Sequence, residues 1–249
     1  MEFNLNIYEG EWLSIVGPSG SGKSTLAKIL IGILDYKGKI VVDKLILTKE
    51  NIMDIRKKIT IVFDNPDNQF IGETVRDDLA FALENLNYSA DDINKKIVDL
   101  AKKMHILDLL DLKPYQLSGG QKQKVALAAS LIYDPEVIIL DEALAMIDVT
   151  YKKELLDTLK QLNIEDKKTI IYISHDLEET LYSDRILVLN NGIKVMEGKT
   201  LDVLNQDSIL NKLGLELPFM IDLSLKLKFY NLLDDIILDM DEMVVKLWK

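Results

Sequence analysis

A glycine-rich stretch soon after the start of the chain decides which fold we expect. It reads Gly17-Pro18-Ser19-Gly20-Ser21-Gly22-Lys23-Ser24-Thr25. The apolar run at residues 12–16 precedes it and has the composition of a buried strand. The helix predicted after it carries apolar residues on one face, namely Leu26, Ile29, Leu30 and Ile33. A strand, a glycine loop and an amphipathic helix in this order predict a phosphate-binding loop.

Each residue type in the loop has a chemical reason to be there. Gly17 and Gly22 have no Cβ atom, so the backbone N–H groups can curl around phosphate oxygens. The helix that follows directs its partial positive charge at the same anion. Lys23 is expected to neutralise the β- and γ-phosphates, and the Ser24 hydroxyl to ligate Mg²⁺. The alternative, a chance match in a glycine-rich turn, is disfavoured by the flanking strand and helix.

The rest of the chain alternates between predicted strands and helices. Strands are predicted at residues 4–8, as an edge strand, and at 59–63, 137–140 and 169–173. A hairpin is predicted from residues 185–189 to 193–196, across Asn190-Asn191-Gly192. Residues 74–112 have a helical pattern, with breaks near Tyr88-Ser89 and at His105. The sequence therefore predicts an α/β fold with a helical block between its early and late strands.

Two groups of charged or titratable residues follow predicted strands. Asp141 and Glu142 come directly after residues 137–140. Such a pair can be a solvated turn, but beside a phosphate loop Asp141 is expected to hold Mg²⁺ through water, and Glu142 to orient the attacking water. His175 follows residues 169–173, at the strand end where α/β proteins build their sites, and is expected to contact the γ-phosphate. A lone histidine is often structural, and we interpret His105 in that way.

A second anion site is predicted far along the chain from the first. It reads Leu117-Ser118-Gly119-Gly120-Gln121 and combines a hydroxyl group, two bare backbone amides and the start of a helix. One chain cannot easily bring both anion sites to a single phosphate, whereas two chains arranged head to tail can. The sequence therefore predicts a dimer that binds ATP between its subunits.

Composition narrows the class of protein. The chain has 249 residues, of which 48% are hydrophobic and 29% charged, as in an ordinary globular protein. Its formal net charge of −11 argues against a nucleic-acid partner, because nucleic-acid binders carry a basic footprint. No apolar run approaches the roughly 18 residues of a membrane span, and no secretory leader is recognisable. We therefore expect the protein to stay in the compartment where it is made; the lack of cysteine fits a reducing cytosol.

Together these motifs resemble the ATP-binding subunit of ABC transporters over residues 10–198. The resemblance implies an ATPase with a P-loop NTPase core of the RecA-like type, a mixed sheet and an inserted α-helical subdomain at about residues 70–133. It places the ATP-binding domain at residues 1–204 and a small C-terminal helical dimerisation extension at residues 205–249. It also implies that Asp148 lies in a loop crossing the dimer interface, and that Ser118–Gln121 serve the partner's nucleotide.

A narrower resemblance rests on two stretches, Val62-Phe63-Asp64-Asn65-Pro66-Asp67-Asn68-Gln69-Phe70 and Glu73-Thr74-Val75-Arg76-Asp77-Asp78. They are similar to energy-coupling factor (ECF) importers, as are Leu217-Pro218-Phe219 and the tail ending in Leu247-Trp248. Importers of that subfamily take up vitamins and transition-metal ions. The resemblance implies a second ATPase subunit, identical or related, a transmembrane coupling (T) subunit and a substrate-binding membrane (S) subunit. It also implies a peripheral position at the cytoplasmic face of the cell membrane.

In that subfamily, the coupling subunit docks helices into a groove lined by the segment after Gln69. Phe81 projects away from the apolar stripe of the helix predicted to start at residue 74. We expect Phe81, with Asp77, Asp78 and Glu84 beside it, to contact a basic coupling helix. Ordinary packing of Phe81 on a neighbouring helix is the alternative.

Three features depart from the family pattern. First, Asp64 stands where the pattern has Gln. A carboxylate there could contact Mg²⁺ and the nucleotide, but it adds negative charge near the triphosphate. The alternative is a tolerated change that faces solvent. The aromatic residue that stacks on adenine has no counterpart, because Tyr8 is too close to the loop; a misassigned start codon or a ring from a partner would explain this. The stretch before Asp148 is more apolar than usual, which bears on communication across the dimer.

Other functions are considered beside the ECF interpretation. One is the ATPase subunit of an ordinary ABC transporter, which works with a periplasmic-type binding protein. Another is a nucleotide-dependent, non-catalytic scaffold that partners a second ATPase, an option raised by Asp64. ABC-type ATPases of DNA repair carry coiled coils or metal-binding inserts, and ABC-type translation factors carry two cassettes. This sequence has neither feature.

Overall fold

A computed structural model describes residues 3–145 and 147–248 of the chain. The chain divides into two compact units. One, the loop unit, consists of Met1–Asn6, Leu13–Lys23 and Ser174–Lys249. The other, the larger unit, consists of Ile7–Trp12 and Ser24–Ile173. The glycine loop therefore belongs to the same unit as the C-terminal part of the chain, and the division falls between Lys23 and Ser24.

Strands and helices alternate along the described residues. The strands are β1 (Trp12–Val16), β2 (Val41–Val42), β3 (Leu45–Ile46), β4 (Ile59–Phe63), β5 (Val137–Asp141), β6 (Thr169–Ser174), β7 (Arg185–Asn190) and β8 (Ile193–Lys199). The α-helices are α1 (Lys23–Leu30), α2 (Ile52–Lys58), α3 (Val75–Asn85), α4 (Ala90–Lys103), α5 (Gly119–Leu131), α6 (Val149–Glu165), α7 (Thr200–Leu204), α8 (Asp207–Lys212), α9 (Phe219–Phe229) and α10 (Met240–Leu247). Short 3-10 turns lie at Pro66–Asn68, Leu107–Leu109, Pro114–Gln116 and Glu178–Tyr182. The predicted α/β class is confirmed.

Parallel pairing organises the main strands of the larger unit. β4 pairs with β5 and β5 with β6, both in parallel, and the register places Phe63, Asp141 and Ile173 side by side. Nearly all residues of β5 and β6 are buried, as expected of parallel strands whose two faces are both covered. The carboxyl ends of three neighbouring strands therefore meet at one edge, where the acidic pair lies.

Caps and left-handed residues explain where the predicted helical block begins and breaks. Thr74 caps α3 in a capping box with Asp77, and Ser89 caps α4. Just beyond the ends of α3 and α4, Asn87 has a φ of 59° and His105 a φ of 52°. Helices commonly end in a residue of this left-handed conformation. The predicted breaks near Ser89 and at His105 are confirmed.

In the loop unit, β1 pairs in parallel with β7, and β7 pairs in antiparallel fashion with β8. Asn191 and Gly192 connect β7 to β8 with φ values of 50° and 73°, as a two-residue hairpin turn requires, so the predicted hairpin is confirmed.

The predicted edge strand at residues 4–8 is wrong, because residues 3–8 form no strand. Side chains bond this segment in place of a strand ladder; for example, the Lys194 ammonium donates to the Asn4 carbonyl at 2.8 Å.

Two apolar clusters hold the C-terminal helices. The first joins β1 and β7 to α7, α8 and α9 through Val16, Leu177, Ile186, Val188, Val203, Leu204, Leu210, Leu215 and Ile221. The second consists of Leu233, Ile237 and Met243. The buried Ser224 hydroxyl donates to the Ile237 carbonyl at 3.0 Å and accepts the Ile237 N–H at 3.1 Å. The domain boundary at residue 204 and the helical subdomain at about 70–133 stay predictions.

Replacing Ser224 with alanine tests how the second cluster is held. Ser224→Ala leaves the buried backbone groups of Ile237 without their side-chain partner, a loss that costs about 1–3 kcal/mol. We expect the free energy of unfolding, measured with urea, to fall by that amount. Ser208→Ala, at an exposed position of α8, is the control and should change it by less than about 0.5 kcal/mol. Equal stability of the two variants would contradict this role of Ser224.

Candidate nucleotide-binding site

The glycine loop is shaped by a close approach to the β7–β8 hairpin. A Cβ atom on Gly17 would lie 2.0 Å from the carbonyl oxygen of Leu189, so a side chain does not fit there. The Gly192 N–H in the hairpin turn donates to the Ser21 carbonyl at 2.8 Å. Within the loop, the Ser21 N–H donates to the Pro18 carbonyl at 3.1 Å. The hairpin therefore fixes the loop backbone from one side.

Lys23 is folded into the loop. Its side chain is buried, with only 4% of the residue exposed. The ammonium donates to the Gly17 carbonyl at 2.8 Å and to the Pro18 carbonyl at 3.2 Å. Helix α1 begins at Lys23 itself. A buried positive charge and a helix N-terminus therefore coincide, and this combination binds phosphate.

Ser24 and Asp141 meet although they are far apart in sequence. The Ser24 hydroxyl donates to the Asp141 carboxylate at 2.7 Å. Asp141 is the last residue of β5 and is only 5% exposed, whereas Ser24 is half-buried in the first turn of α1. The structure thus brings together two of the residues predicted to hold Mg²⁺.

The electrostatics of Asp141 fit a divalent cation at this position. Burial raises the pKa of the Asp141 carboxyl group, and the hydrogen bond from Ser24 opposes that rise. The negative charge of Glu142 raises the pKa further, Lys28 lowers it, and Asp64 raises it. A cation would offset this cost of burying a carboxylate. The oxygen donors of Ser24, Asp141 and Asp64 are the ligand type that Mg²⁺ prefers, usually together with water and substrate phosphates.

Glu142 has an unusual backbone conformation for its residue type. Its φ is 51°, in the left-handed region that non-glycine residues rarely adopt. The Glu142 N–H donates to the Ile173 carbonyl on the neighbouring strand at 3.0 Å, which fixes the residue at the edge of the strands. Backbone of this kind is found at functional sites as well as in turns, and it is compatible with the role predicted for Glu142.

Asp64 lies at the end of the strand beside Asp141. Phe63, the last residue of β4, is the register partner of Asp141. Asp64 follows it directly and is exposed. The Gln123 side chain donates to the Phe63 carbonyl at 3.1 Å and so holds the end of β4. The side chain of Gln69 donates to the Asn65 carbonyl at 3.5 Å, within its own loop. Of these residues, Asp64 is the one that alters the charge felt by Asp141.

The second predicted anion site is the exposed start of α5. Ser118 caps this helix in a capping box: its hydroxyl accepts the Gln121 N–H at 3.3 Å, and the Gln121 side chain accepts the Ser118 N–H at 2.9 Å. Gly119 is exposed, and a Cβ atom there would meet nothing within 4 Å. The first turn of an α-helix leaves N–H groups without intrahelical partners. This helix start can therefore bind an anion that approaches from solvent.

Helix α6 supports the start of α5. A Cβ atom on Gly120 would lie 3.0 Å from the Tyr151 ring, so Tyr151 covers this glycine closely. Asp148 caps α6 by accepting the Tyr151 N–H at 3.2 Å. The predicted interface residue Asp148 is thus linked through Tyr151 to the second anion site, a role for Tyr151 that no sequence motif indicated. Met146, within the apolar stretch before Asp148, lies outside the described residues.

His175 lies on a turn directly after β6 and is exposed. The residue before it, Ser174, donates its hydroxyl to the buried Glu179 carboxylate at 2.5 Å. The same hydroxyl accepts the Asp176 N–H at 3.0 Å. Sequence reasoning singled out His175 but not Glu179, because no motif in the sequence marks Glu179 as buried. His105, interpreted as structural, ends a helix as described above.

In the part of the chain that the structure describes, no helix is both long enough and apolar enough to cross a membrane. The finding agrees with the lack of a long apolar run in the sequence.

Gly17→Ala tests the close approach that shapes the loop. Forcing a methyl group against the Leu189 carbonyl costs about 1–3 kcal/mol in overpacking, and about 1.4 kcal/mol corresponds to a tenfold change in affinity. We expect ATP binding, measured by calorimetry, to weaken about tenfold or more. Gly198→Ala is the matched control, since its Cβ would make an ordinary contact at 3.4 Å with Val203. Unchanged ATP affinity in Gly17→Ala would mean that the loop adopts another shape.

Comparisons with known proteins agree with this geometry. The family model of the ABC transporter matches residues 1–145. The energy-coupling factor transporter ATP-binding protein EcfA1 of Bacillus subtilis is 44% identical over 247 residues, which are 98% of this chain and 88% of that protein. The protein EcfA of Pediococcus pentosaceus is 46% identical over 217 residues, or 87% and 78% of the two chains.

Solved structures give the same result. The protein cbiO1 from Clostridium perfringens, described as part of the ABC transporter complex cbiONQ, matches with a TM-score of 0.78 and 34% identity, over 89% of this chain and 90% of that one. A bacterial ABC transporter cassette solved as a dimer matches with a TM-score of 0.71 and 31% identity, over 79% and 88%. The predicted core and the ATPase activity are thereby confirmed. The chain belongs to the ABC transporter family, and within it to the ATP-hydrolysing ATP-binding proteins of energy-coupling factor transporters.

Proposed function

We propose that this chain uses the binding and hydrolysis of ATP to close and reopen a pair of ATPase subunits beneath a membrane importer. The observation that carries the proposal is the contact of Ser24 with the buried Asp141, at 2.7 Å. It joins the first helix after the glycine loop to a strand end that supplies the carboxylate, and the next residue is Glu142. A phosphate loop, a cation ligand and a base in this order suit the hydrolysis of a nucleoside triphosphate.

The nucleotide is bound by the loop Gly17-Pro18-Ser19-Gly20-Ser21-Gly22-Lys23-Ser24-Thr25. Its backbone N–H groups and the Lys23 ammonium neutralise the phosphates. Ser24 and Asp141 would hold Mg²⁺, with Asp64 as a further carboxylate beside it. When bound, the ion would offset the negative charge that develops on the phosphates.

Glu142 and His175 are proposed to act on the terminal phosphoryl group. The Glu142 carboxylate accepts a hydrogen bond from the attacking water and so orients it. The hydrogen bond from its N–H to the Ile173 carbonyl holds it at the strand edge. His175, on its exposed turn, donates to an oxygen of the γ-phosphate.

The second anion site is proposed to serve a nucleotide bound by the partner subunit. Ser118, Gly119, Gly120 and Gln121 form a capped helix start, in which Ser118 and Gly119 are exposed to an approaching phosphate. Asp148 caps the neighbouring α6 and is proposed to lie at the same interface. ATP can drive closure only if it binds the closed pair better than the open one. Reversing the populations of the two states needs about 5.5 kcal/mol of such preference.

The partners are proposed from the relatives. They are a second ATPase, either a copy of this chain or a homologue, a transmembrane coupling (T) subunit and a substrate-binding membrane (S) subunit. The cargo is a vitamin or a transition-metal ion. The chain is bound peripherally at the cytoplasmic face of the cell membrane. A nucleic-acid partner is disfavoured by the net charge of −11.

The surface around Phe81 is proposed to contact the coupling subunit. Phe81 on α3 is 44% exposed. Two of the acidic residues expected to flank it have other roles: Asp77 forms the capping box of α3, and the buried Asp78 accepts the N–H groups of Ile71 and Gly72. Glu84, exposed one turn after Phe81, is left to attract a basic helix. The acidic character of this surface is therefore weaker than the sequence suggested.

Glu142→Gln tests the proposed base. Loss of a general base slows hydrolysis by about 100-fold or more. We expect the variant to bind ATP, to stay paired with its partner ATPase in Mg-ATP, and to release almost no phosphate. Glu165→Gln, at an exposed position of α6, is the control and should hydrolyse ATP at the normal rate. Near-normal turnover in Glu142→Gln would remove Glu142 from the mechanism.

Asp64→Gln tests the charge beside the cation site. Glutamine keeps an oxygen atom that can face Mg²⁺ but removes a negative charge near the triphosphate, a change worth up to about 1 kcal/mol after solvent screening, or about fivefold in affinity. We expect higher turnover or tighter binding of Mg-ATP, measured by phosphate release and calorimetry. Asp108→Asn, at an exposed position elsewhere in the larger unit, should change neither. Identical kinetics in Asp64→Gln and the native chain would place Asp64 in solvent, away from the nucleotide.

A further inference from the structure

We propose that Glu179 is a positioning residue for ATP hydrolysis, which acts through Ser174 on the turn that carries His175. The inference rests on the contact proposed above between His175 and the γ-phosphate. Glu179 lies in the 3-10 turn Glu178–Tyr182, and its Oε2 atom accepts the Ser174 hydroxyl.

The burial of Glu179 needs an explanation. The residue is only 5% exposed, and a carboxylate buried without hydrogen-bond partners is strongly unfavourable. The Ser174 hydroxyl, on a residue 4% exposed, donates to its Oε2 atom at 2.5 Å. Ser174 therefore supplies one of the hydrogen bonds that offset the cost of burying the Glu179 side chain.

The Ser174 hydroxyl links Glu179 to the backbone of the turn. A hydroxyl group has one proton, and here that proton points at Glu179. Its lone pairs are then oriented to accept the Asp176 N–H at 3.0 Å. The Asp176 carboxylate accepts the Glu178 N–H at 2.9 Å and closes the turn. His175 thus lies in the chain between Ser174 and Asp176, two residues whose conformations are held by these hydrogen bonds.

Apolar packing and hydrogen bonds hold different residues of this segment. Leu177, 1% exposed, anchors the segment in the first apolar cluster. His175, two residues earlier, is exposed. The hydrogen bonds of Ser174 and Asp176 fix the backbone on either side of it. Since a small misplacement of a catalytic group lowers a rate steeply, loss of these contacts should be felt in turnover.

Variants of Ser174 separate positioning from packing. Ser174→Ala removes the donor, while Ser174→Thr keeps the hydroxyl group. We expect Ser174→Ala to lower the kcat of ATP hydrolysis about tenfold, with the KM for ATP changed less than about twofold, because Lys23 and its loop are untouched. Ser174→Thr should retain most of the native kcat. Glu179→Gln, which keeps an acceptor oxygen, should fall between the two.

The decisive comparison uses a His175→Ala background. If Glu179 and Ser174 act through His175, adding Ser174→Ala to His175→Ala should lower turnover no further. A tenfold loss in both backgrounds would show a structural role and overturn the inference, while leaving the role of His175 intact. Normal turnover in His175→Ala alone would instead refute the proposed γ-phosphate contact, and this inference with it. Should Ser174→Ala not fold, Glu179→Gln in the same two backgrounds is interpreted in the same way.

Discussion

The structure depends on placing two opposite charges where water is largely excluded. Lys23 and Asp141 are both almost fully buried, and each is compensated by a short hydrogen bond to its surroundings. Burying charged groups is costly unless they are paired or bonded. The loop carbonyls do this for Lys23, and the Ser24 hydroxyl does it for Asp141. Under the proposed function, a phosphate would add to the compensation of Lys23, and a cation would add to that of Asp141.

This constraint accounts for much of the architecture. The loop can surround Lys23 only because Gly17 has no side chain to strike the Leu189 carbonyl. Asp141 reaches the position of Ser24 because it ends a buried parallel strand between two others. The strained backbone of Glu142 follows immediately and is held by the next strand. The acidic pair proposed to act on the nucleotide thus lies at the carboxyl end of a strand, where α/β proteins usually bind their ligands.

The parts of the site that could be predicted from sequence are those whose chemistry is local. The glycine loop, the acidic pair, the capped start of α5 and the hairpin are each contained in a few consecutive residues. The parts that could not be predicted depend on residues distant in sequence, such as Leu189 against Gly17. Ser174 and Glu179 are close in sequence, but their hydrogen bond could not be predicted because no motif shows that both residues are buried. The prediction of an edge strand at residues 4–8 was wrong. Alternating polar and apolar residues do not reveal that lysine and arginine side chains, and not another strand, donate hydrogen bonds to the backbone carbonyls there.

The central claim is that the start of α5 closes over a nucleotide bound by another subunit. The most direct measurement is photo-crosslinking with an ATP analogue that carries a reactive group on its γ-phosphate, in native membranes, followed by mass spectrometry of the labelled peptides. We expect label on the peptide that contains Ser118–Gln121 as well as on the glycine loop, whether the second ATPase is a copy or a homologue. Label confined to the glycine-loop peptide, in complexes that bind and hydrolyse ATP, would contradict it.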